Sequence, residues 1–104
     1  MASGAVWAVR VLPAAQREID DLDDSVRFEA LETITDLEED PFPAGSILLR
    51  GYTDLHRLKF YRDQYRVVYT VSEKQRRVIV ERVRTRSTAY AGLRNPGIEE
   101  AKPW

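Results

Sequence analysis

The spacing of hydrophobic residues changes along the chain, and the first part predicts a strand followed by two helices. Residues 5–11 are mostly apolar, with β-branched and aromatic side chains, which predicts a strand in the interior of a sheet. From Pro13 to Leu37 apolar residues recur at helical spacing, with capping residues at 23–25 that divide the stretch into two helices. Two prolines beyond Leu37 end the second helix.

The second part of the chain has the short alternating runs that are typical of strands. They cover residues 54–60, 65–71 and 77–84, and the connections between them are short enough for hairpins. The order βααβββ predicts an α+β fold, in which two helices pack on one face of a small, mainly antiparallel sheet. We expect one domain at residues 1–93 and a flexible tail at 94–104, where no apolar pattern is sustained.

The composition excludes several kinds of chemistry. The chain has no cysteine and a single histidine, His56, so disulfides and Cys-type zinc sites are excluded and a His-based metal site or Ser-His-Asp triad is disfavoured. No apolar run approaches the about 20 residues of a membrane span, and the N-terminus lacks a secretory signal pattern. We therefore expect a cytoplasmic protein that does not bind a membrane.

Charge is distributed unevenly between the two parts of the chain. Residues 1–49 carry three arginines against eleven acids, a net charge of −8, whereas residues 50–104 carry thirteen basic residues against six acids, a net charge of +7. A basic part beside an acidic part predicts one surface that meets a polyanion. The structural alternative is that the two parts pair with each other on a solvated surface.

The basic residues of the predicted strands recur at alternating positions. Residues of equal parity share a face of a strand, so Arg57 and Lys59 are expected on one face, as are Arg82 and Arg84. With Arg66 they predict a cationic sheet face whose opposite side is apolar.

Each candidate also has a structural interpretation. Arg57 and Lys59 can protect an edge strand from aggregation, and Arg66 can form an ion pair with a helix acid. Tyr90, taken singly, fits a core or rim aromatic. His56 has the parity of the apolar residues of its strand, which predicts a packed or surface side chain.

Five segments in order resemble the RelE/ParE superfamily of bacterial toxins, in particular its RelE-like branch. The resemblance extends over nearly the whole of the predicted domain. The segments are Leu49-Arg50-Gly51, Leu55-His56-Arg57-Leu58-Lys59, Tyr65-Arg66-Val67-Val68-Tyr69, Val83-Arg84-Thr85-Arg86 and Tyr90.

The resemblance implies a toxin of a type II toxin–antitoxin module. Such a toxin is a ribosome-dependent endoribonuclease that cuts mRNA in the ribosomal A site, and an antitoxin protein neutralises it in a complex that binds operator DNA. Carried over by position, the catalytic set is Arg57, Lys59, Arg66, Arg84 and Tyr90. Arg50, Arg82 and Arg86 are the candidates for contacts with RNA, including ribosomal RNA. RelE itself favours lysine where this chain has Arg57, and an arginine there can hold phosphate but is a poor proton carrier.

Cleavage of RNA without a metal needs a base for the 2′-hydroxyl, donors for the charge on phosphorus-bound oxygens, and an acid for the leaving oxygen. The resemblance implies catalysis without a metal or a cofactor. We expect the following roles from the chemistry of each side chain, because crowding among cations can lower the pKa of a lysine or tyrosine. Lys59 is the general base, Arg57 and Arg66 bind the phosphate, Arg84 serves the leaving oxygen, and Tyr90 stacks on a base or assists as the base.

Two other functions fit the same sequence. A ParE-like toxin of the same fold binds DNA gyrase and hydrolyses nothing, and such members generally lack the full set of basic residues and tyrosine. A module that binds RNA or an antitoxin without catalysis would lack at least one catalytic position. The presence of all the expected positions favours the nuclease.

Overall fold

The computed structural model of the chain describes residues 7–93, so the first residues of the predicted N-terminal strand and the predicted tail at 94–104 lie outside the described range. Within it, two helices and five strands follow in an order that confirms the predicted α+β class. These elements are β1 (Ala8–Val11), α1 (Pro13–Asp20), α2 (Asp24–Asp36), β2 (Ile47–Leu48), β3 (Leu55–Phe60), β4 (Tyr65–Ser72) and β5 (Arg77–Thr85).

Both helices begin where the sequence indicates. Pro13 is the first residue of α1, a position where its missing N–H is no loss. Asp23, in extended conformation, is the N-cap of α2. Each helix buries one stripe of small or aliphatic side chains against the sheet. These are Ala15 and Ile19 in α1, and Val26, Ala30 and Ile34 in α2.

The sheet has the strand order β1-β5-β4-β3-β2. Strand β1 is parallel to β5, whereas the remaining neighbours are antiparallel. The prediction that β1 lies inside the sheet is wrong, because it is an edge strand. Its exposure alternates, with Val9 and Val11 half-buried against the core and Ala8 and Arg10 exposed. Ala8, a small apolar residue on the exposed side, made this edge strand look nearly all apolar in the sequence.

The main core lies between the helices and one face of β3, β4 and β5. Tyr69 is fully buried there, and its hydroxyl donates to the carbonyl of Pro41 at 2.9 Å, which ties the segment after α2 to the sheet. Burial raises the pKa of Tyr69 to about 12. The opposite face of the sheet is not covered by either helix, and we call it the open face.

A register shift between β4 and β5 decides which residues reach the open face. Val68 pairs with Arg82, but the next residue, Tyr69, pairs with Val80, so Glu81 is an extra residue in β5. Such a bulge changes the alternation of a strand. As a result Val80 and Val83 are both buried in the main core although their parities differ.

Neither helix among residues 7–93 has the length and apolar character needed to cross a membrane.

Candidate functional site

Three of the predicted catalytic residues form one row across the open face. Lys59 of β3 pairs directly with Arg66 of β4, and Arg66 pairs directly with Arg84 of β5. Residues directly opposite each other in an antiparallel pair project on the same face. Strands are about 5 Å apart, so the backbones that carry the three cations span about 10 Å. We call Lys59, Arg66 and Arg84 the cation row.

Like charges placed directly opposite each other destabilise a sheet, so the cation row needs compensating anions. Asp63, in the turn between β3 and β4, provides the first. Its Oδ1 lies 3.0 Å from Nη1 of Arg66 and 3.6 Å from Nζ of Lys59. The structural alternative for Arg66 was an ion pair with a helix acid, whereas its partner is this turn residue.

Arg66 is the most buried cation of the row, with 9% of the residue exposed. Its Nη1 also donates to the carbonyls of Asp63 at 2.9 Å and Tyr65 at 3.2 Å. Its Nε is buried and has no hydrogen-bond partner among the described residues. An unsatisfied buried donor costs about 1–3 kcal/mol, and in a native structure it calls for an explanation such as a ligand.

The turn that carries Asp63 has unusual backbone geometry. Tyr61, Arg62 and Asp63 have φ angles of 54°, 57° and 69°, in the left-handed region that side chains disfavour. Helix α2 supports the turn from the other side of the sheet. The carboxylate of Glu29 accepts a hydrogen bond from the backbone N–H of Tyr61 at 2.7 Å, and the hydroxyls of Ser25 and Tyr61 are 3.3 Å apart.

Glu18 of α1 provides the second anion. Its Oε2 accepts a hydrogen bond from Nε of Arg84 at 2.7 Å, and its Oε1 accepts one from the backbone N–H of Val83 at 2.9 Å. Arg84 also donates through Nη1 to the carbonyl of Thr88 at 3.4 Å. Sequence reasoning missed Glu18, because no periodic pattern indicates that α1 crosses the end of β5 at this residue.

Arg82 holds the segment that carries Tyr90. Its Nη1 donates to the carbonyls of Ala89 at 3.0 Å and Ala91 at 2.6 Å, on either side of that tyrosine. Burial and the charge of Arg84 lower the pKa of Arg82. Ala89 is fully buried in a second, smaller core on the open face, and Tyr90 itself is 39% exposed. The structure thus gives Arg82, predicted to contact RNA, an anchoring contact with the backbone.

The other predicted residues lie outside the cation row. Arg57 is on the same strand face as Lys59, but its Nη1 donates to the carbonyl of Gly45 at 3.3 Å, towards the edge of the sheet. Arg50 is exposed in the turn after β2. Arg86 is exposed just after β5.

His56 lies on the helix side of the sheet, as its parity predicts. Its ring stacks on Tyr69 with 5.6 Å between centroids, and its Nδ1 is 3.1 Å from the carbonyl oxygen of Asp54. Residues 7–93 contain no group of three or more His, Cys, Asp or Glu side chains placed to hold a metal ion.

Solved structures of RelE toxins are similar to this chain. The archaeal RelE–RelB complex from Pyrococcus horikoshii OT3 matches with a TM-score of 0.69 and 25% identity, covering 81% of this chain and 99% of that chain. The isolated E. coli RelE toxin matches with a TM-score of 0.66 and 25% identity, covering 76% and 83%. The intact E. coli RelBE toxin–antitoxin complex matches with a TM-score of 0.65 and 26% identity, covering 75% and 94%.

No curated protein sequence matches the chain. A family model does match, that of the ParE toxin of type II toxin–antitoxin systems, parDE, and it extends over residues 9–90. This range includes both helices, β2 to β5, all of β1 except Ala8, and every predicted catalytic residue. The chain therefore belongs to the ParE toxin family of type II toxin–antitoxin systems, within the RelE/ParE superfamily, and has the RelE-like fold.

Proposed function

We propose that this toxin is a ribosome-dependent endoribonuclease, which cuts mRNA in the ribosomal A site by attack of the 2′-hydroxyl on the adjacent phosphate. The observation that carries the proposal is the cation row on the open face, with Arg66 at its centre. A guanidinium is suited to a phosphate oxygen, because it is always charged and donates in a fixed geometry.

The order of the cation row suits an in-line displacement. Arg66 lies between Lys59 and Arg84, so a phosphate bound at Arg66 has one cation on each side. Negative charge that develops on the phosphorus-bound oxygens is stabilised by donors already in place, which is the largest contribution to many enzymatic rates. The three cations supply this stabilisation from side chains, so the proposal requires no metal ion.

Residues around the cation row complete the proposed site. Tyr90, whose neighbours Ala89 and Ala91 are held by Arg82, would stack on a base of the mRNA. Arg57, Arg50 and Arg86 are suited to contacts with the phosphates of mRNA or ribosomal RNA, which position a nucleic acid without reading its sequence.

We also propose an antitoxin protein as the partner that neutralises the toxin. The support is that similar solved structures from P. horikoshii and E. coli contain RelE together with RelB.

The proposal is tested by inducing the protein in bacterial cells and mapping the 5′ ends of cellular mRNA. We expect translation to stop and new 5′ ends to appear in phase with codons of translated messages. An Arg84→Ala variant should give neither result, whereas the matched variant Lys74→Ala, in the exposed turn between β4 and β5, should behave like the unaltered chain. Intact mRNA during growth arrest would contradict the nuclease.

A second candidate function has one specific observation in its favour, which is the match to the ParE toxin model. On this alternative the toxin binds DNA gyrase and hydrolyses nothing. Plasmid topology in the same induced cells separates the two functions. Loss of negative supercoiling with intact mRNA supports the gyrase inhibitor, and codon-phased cuts with normal supercoiling support the nuclease.

A further inference from the structure

Two carboxylates touch the cation row, and they differ in how their oxygens are used. Both oxygens of Glu18 accept hydrogen bonds, from Arg84 and from the backbone of Val83. Asp63 makes its ion pairs to Lys59 and Arg66 through one oxygen, Oδ1, and its side chain is 47% exposed. Asp63 is therefore the carboxylate that a bound substrate can reach.

The backbone around Asp63 indicates that its position serves a function. Three consecutive non-glycine residues, Tyr61 to Asp63, lie in the left-handed region, where side chains cost free energy. A hairpin could avoid this cost with glycine or asparagine at these positions. Here the turn is instead held by Glu29 of α2 on one side and by Arg66 on the other. In this conformation the carboxylate of Asp63 contacts both Lys59 and Arg66.

The proposed reaction needs a group that accepts the proton of the 2′-hydroxyl. Guanidinium groups do not lose their protons in proteins, so Arg66 and Arg84 are unsuited to this step. Lys59 forms an ion pair with Asp63, and a lysine side chain accepts a proton only as the neutral amine. The carboxylate beside it is an acceptor without further change.

We propose that Asp63 is the general base of the cleavage reaction, an inference that rests on the proposed nuclease function. The carboxylate takes the proton of the 2′-hydroxyl, whose oxygen forms a bond to phosphorus. The bond from phosphorus to the 5′ oxygen breaks, and its electron pair goes to that oxygen. A water molecule gives this oxygen a proton, and Asp63 returns the proton it took to solvent.

The products are a 2′,3′-cyclic phosphate and a 5′-hydroxyl, with no net change in the protein. The order across the sheet agrees with an in-line path. Asp63 contacts Lys59 and Arg66, where the 2′ oxygen attacks, and Arg84 lies on the opposite side of Arg66 from Lys59, where it stabilises the leaving oxygen.

The experiment compares the unaltered chain with Asp63→Asn on ribosomes programmed with mRNA, under single-turnover conditions. Asparagine tolerates the left-handed region as aspartate does, so the turn is kept while the acceptor is lost. We expect the cleavage rate to fall about 100-fold or more. Binding to ribosomes that carry an mRNA with a 2′-deoxy residue at the cut site should stay equal or become tighter, since a negative charge is removed from the site.

Two further variants serve as controls for Asp63→Asn. Asp63→Glu keeps a carboxylate but is strained at this positive φ, so it should cleave more slowly than the unaltered chain and faster than Asp63→Asn. Asp54→Asn makes the same chemical change in an exposed residue at the far end of β3 and should cleave like the unaltered chain.

Each other outcome overturns the proposal. If Asp63→Asn cleaves at an unchanged rate, Asp63 takes no part in proton transfer. If it cleaves faster, Asp63 is an internal anion that the RNA phosphate displaces. If it loses binding of the deoxy mRNA along with cleavage, its role is structural. If the unaltered chain does not cut mRNA on ribosomes, the nuclease function fails as well, and that result is distinct from the other three.

Discussion

At the scale of single residues, Arg66 combines two properties that rarely occur together. It is a buried cation, and one of its donors is left without a partner among the described residues. Its remaining donor contacts are to the turn between β3 and β4, through the carboxylate and carbonyl of Asp63 and the carbonyl of Tyr65. The residue therefore links the candidate site to the conformation of that turn.

Replacing Arg66 with methionine should test this link. Methionine keeps much of the volume but removes the contacts to the turn. The loss is partly offset, because the Nε without a partner among residues 7–93 and the repulsion within the cation row are removed as well, so we expect the free energy of unfolding to fall by about 1 kcal/mol. Urea denaturation followed by circular dichroism measures the change. The control is Arg77→Met, an exposed arginine on β5, for which the change should be below about 0.5 kcal/mol. Equal stability of the two variants would show that Arg66 does not hold the turn.

Glu81, the extra residue of the bulge in β5, gives a prediction that depends on pH. Burial and the charge of Asp54 raise the pKa of Glu81. A raised carboxyl pKa means that ionisation costs stability in the folded state, and this cost is present above the ordinary carboxyl pKa and absent below it. Glu81→Gln should therefore increase the free energy of unfolding at neutral pH.

The gain from Glu81→Gln should disappear in acid, where the unaltered side chain is already protonated in both states. Thermal or urea unfolding of both proteins, from neutral pH to below the ordinary carboxyl pKa, measures this difference in stability. Glu73→Gln, at an exposed position in the turn between β4 and β5, should give no such gain. A gain at Glu81 that persists unchanged into acid would contradict a cost of ionisation.

At the scale of elements, the two turns that flank β4 differ in strain. The turn before β4 has three successive non-glycine residues with positive φ, whereas the turn after it has one, Arg76. The strained turn is also the one that carries Asp63 and is supported by Glu29 of α2. Strain of this kind persists where surrounding contacts determine it, and it is common at functional sites.

Arg62→Gly should relieve part of this strain. Relief of the left-handed conformation is worth about 1–2 kcal/mol, and the added freedom of the unfolded chain offsets about 0.4–1 kcal/mol of that. We expect a net gain of about 1 kcal/mol in the free energy of unfolding, measured by urea denaturation. Lys74→Gly, in the other turn and at an exposed residue without positive φ, should lower stability instead. A loss of stability at both positions would show that the turn is not strained at Arg62.

The elements were predictable where the hydrophobic pattern is long. The two helices and the strands β3, β4 and β5 follow from periodicity, and strand parity placed Lys59, Arg66 and Arg84 on one face. Strand β2, with two residues, is too short to leave a pattern.

Other features depend on distant parts of the chain. The parallel pairing of β1 at the sheet edge depends on where β5 lies in the finished sheet, which is not encoded in the spacing of residues near β1.

The anions were not found from the sequence either. Asp63 looks like an ordinary turn residue, and Glu18 is one of many acids in the helices. Only the fold shows that they touch the cation row.

At the scale of the whole molecule, the uneven charge of the sequence corresponds to two sides of the sheet. The strongly acidic part of the chain contains both helices, which cover one face. The cation row lies on the other face, where Asp63 and Glu18 compensate it. A surface with this charge favours association with a polyanion and weakens with added salt.

The most direct measurement is the cleavage of mRNA on purified ribosomes that hold a defined codon in the A site. We expect a cut within that codon, with a 2′,3′-cyclic phosphate on one product and a 5′-hydroxyl on the other, and we expect Arg84→Ala to abolish the cut while Lys74→Ala does not. Intact mRNA with the unaltered chain, or an undiminished cut with Arg84→Ala, would contradict the claim that the cation row is the catalytic site.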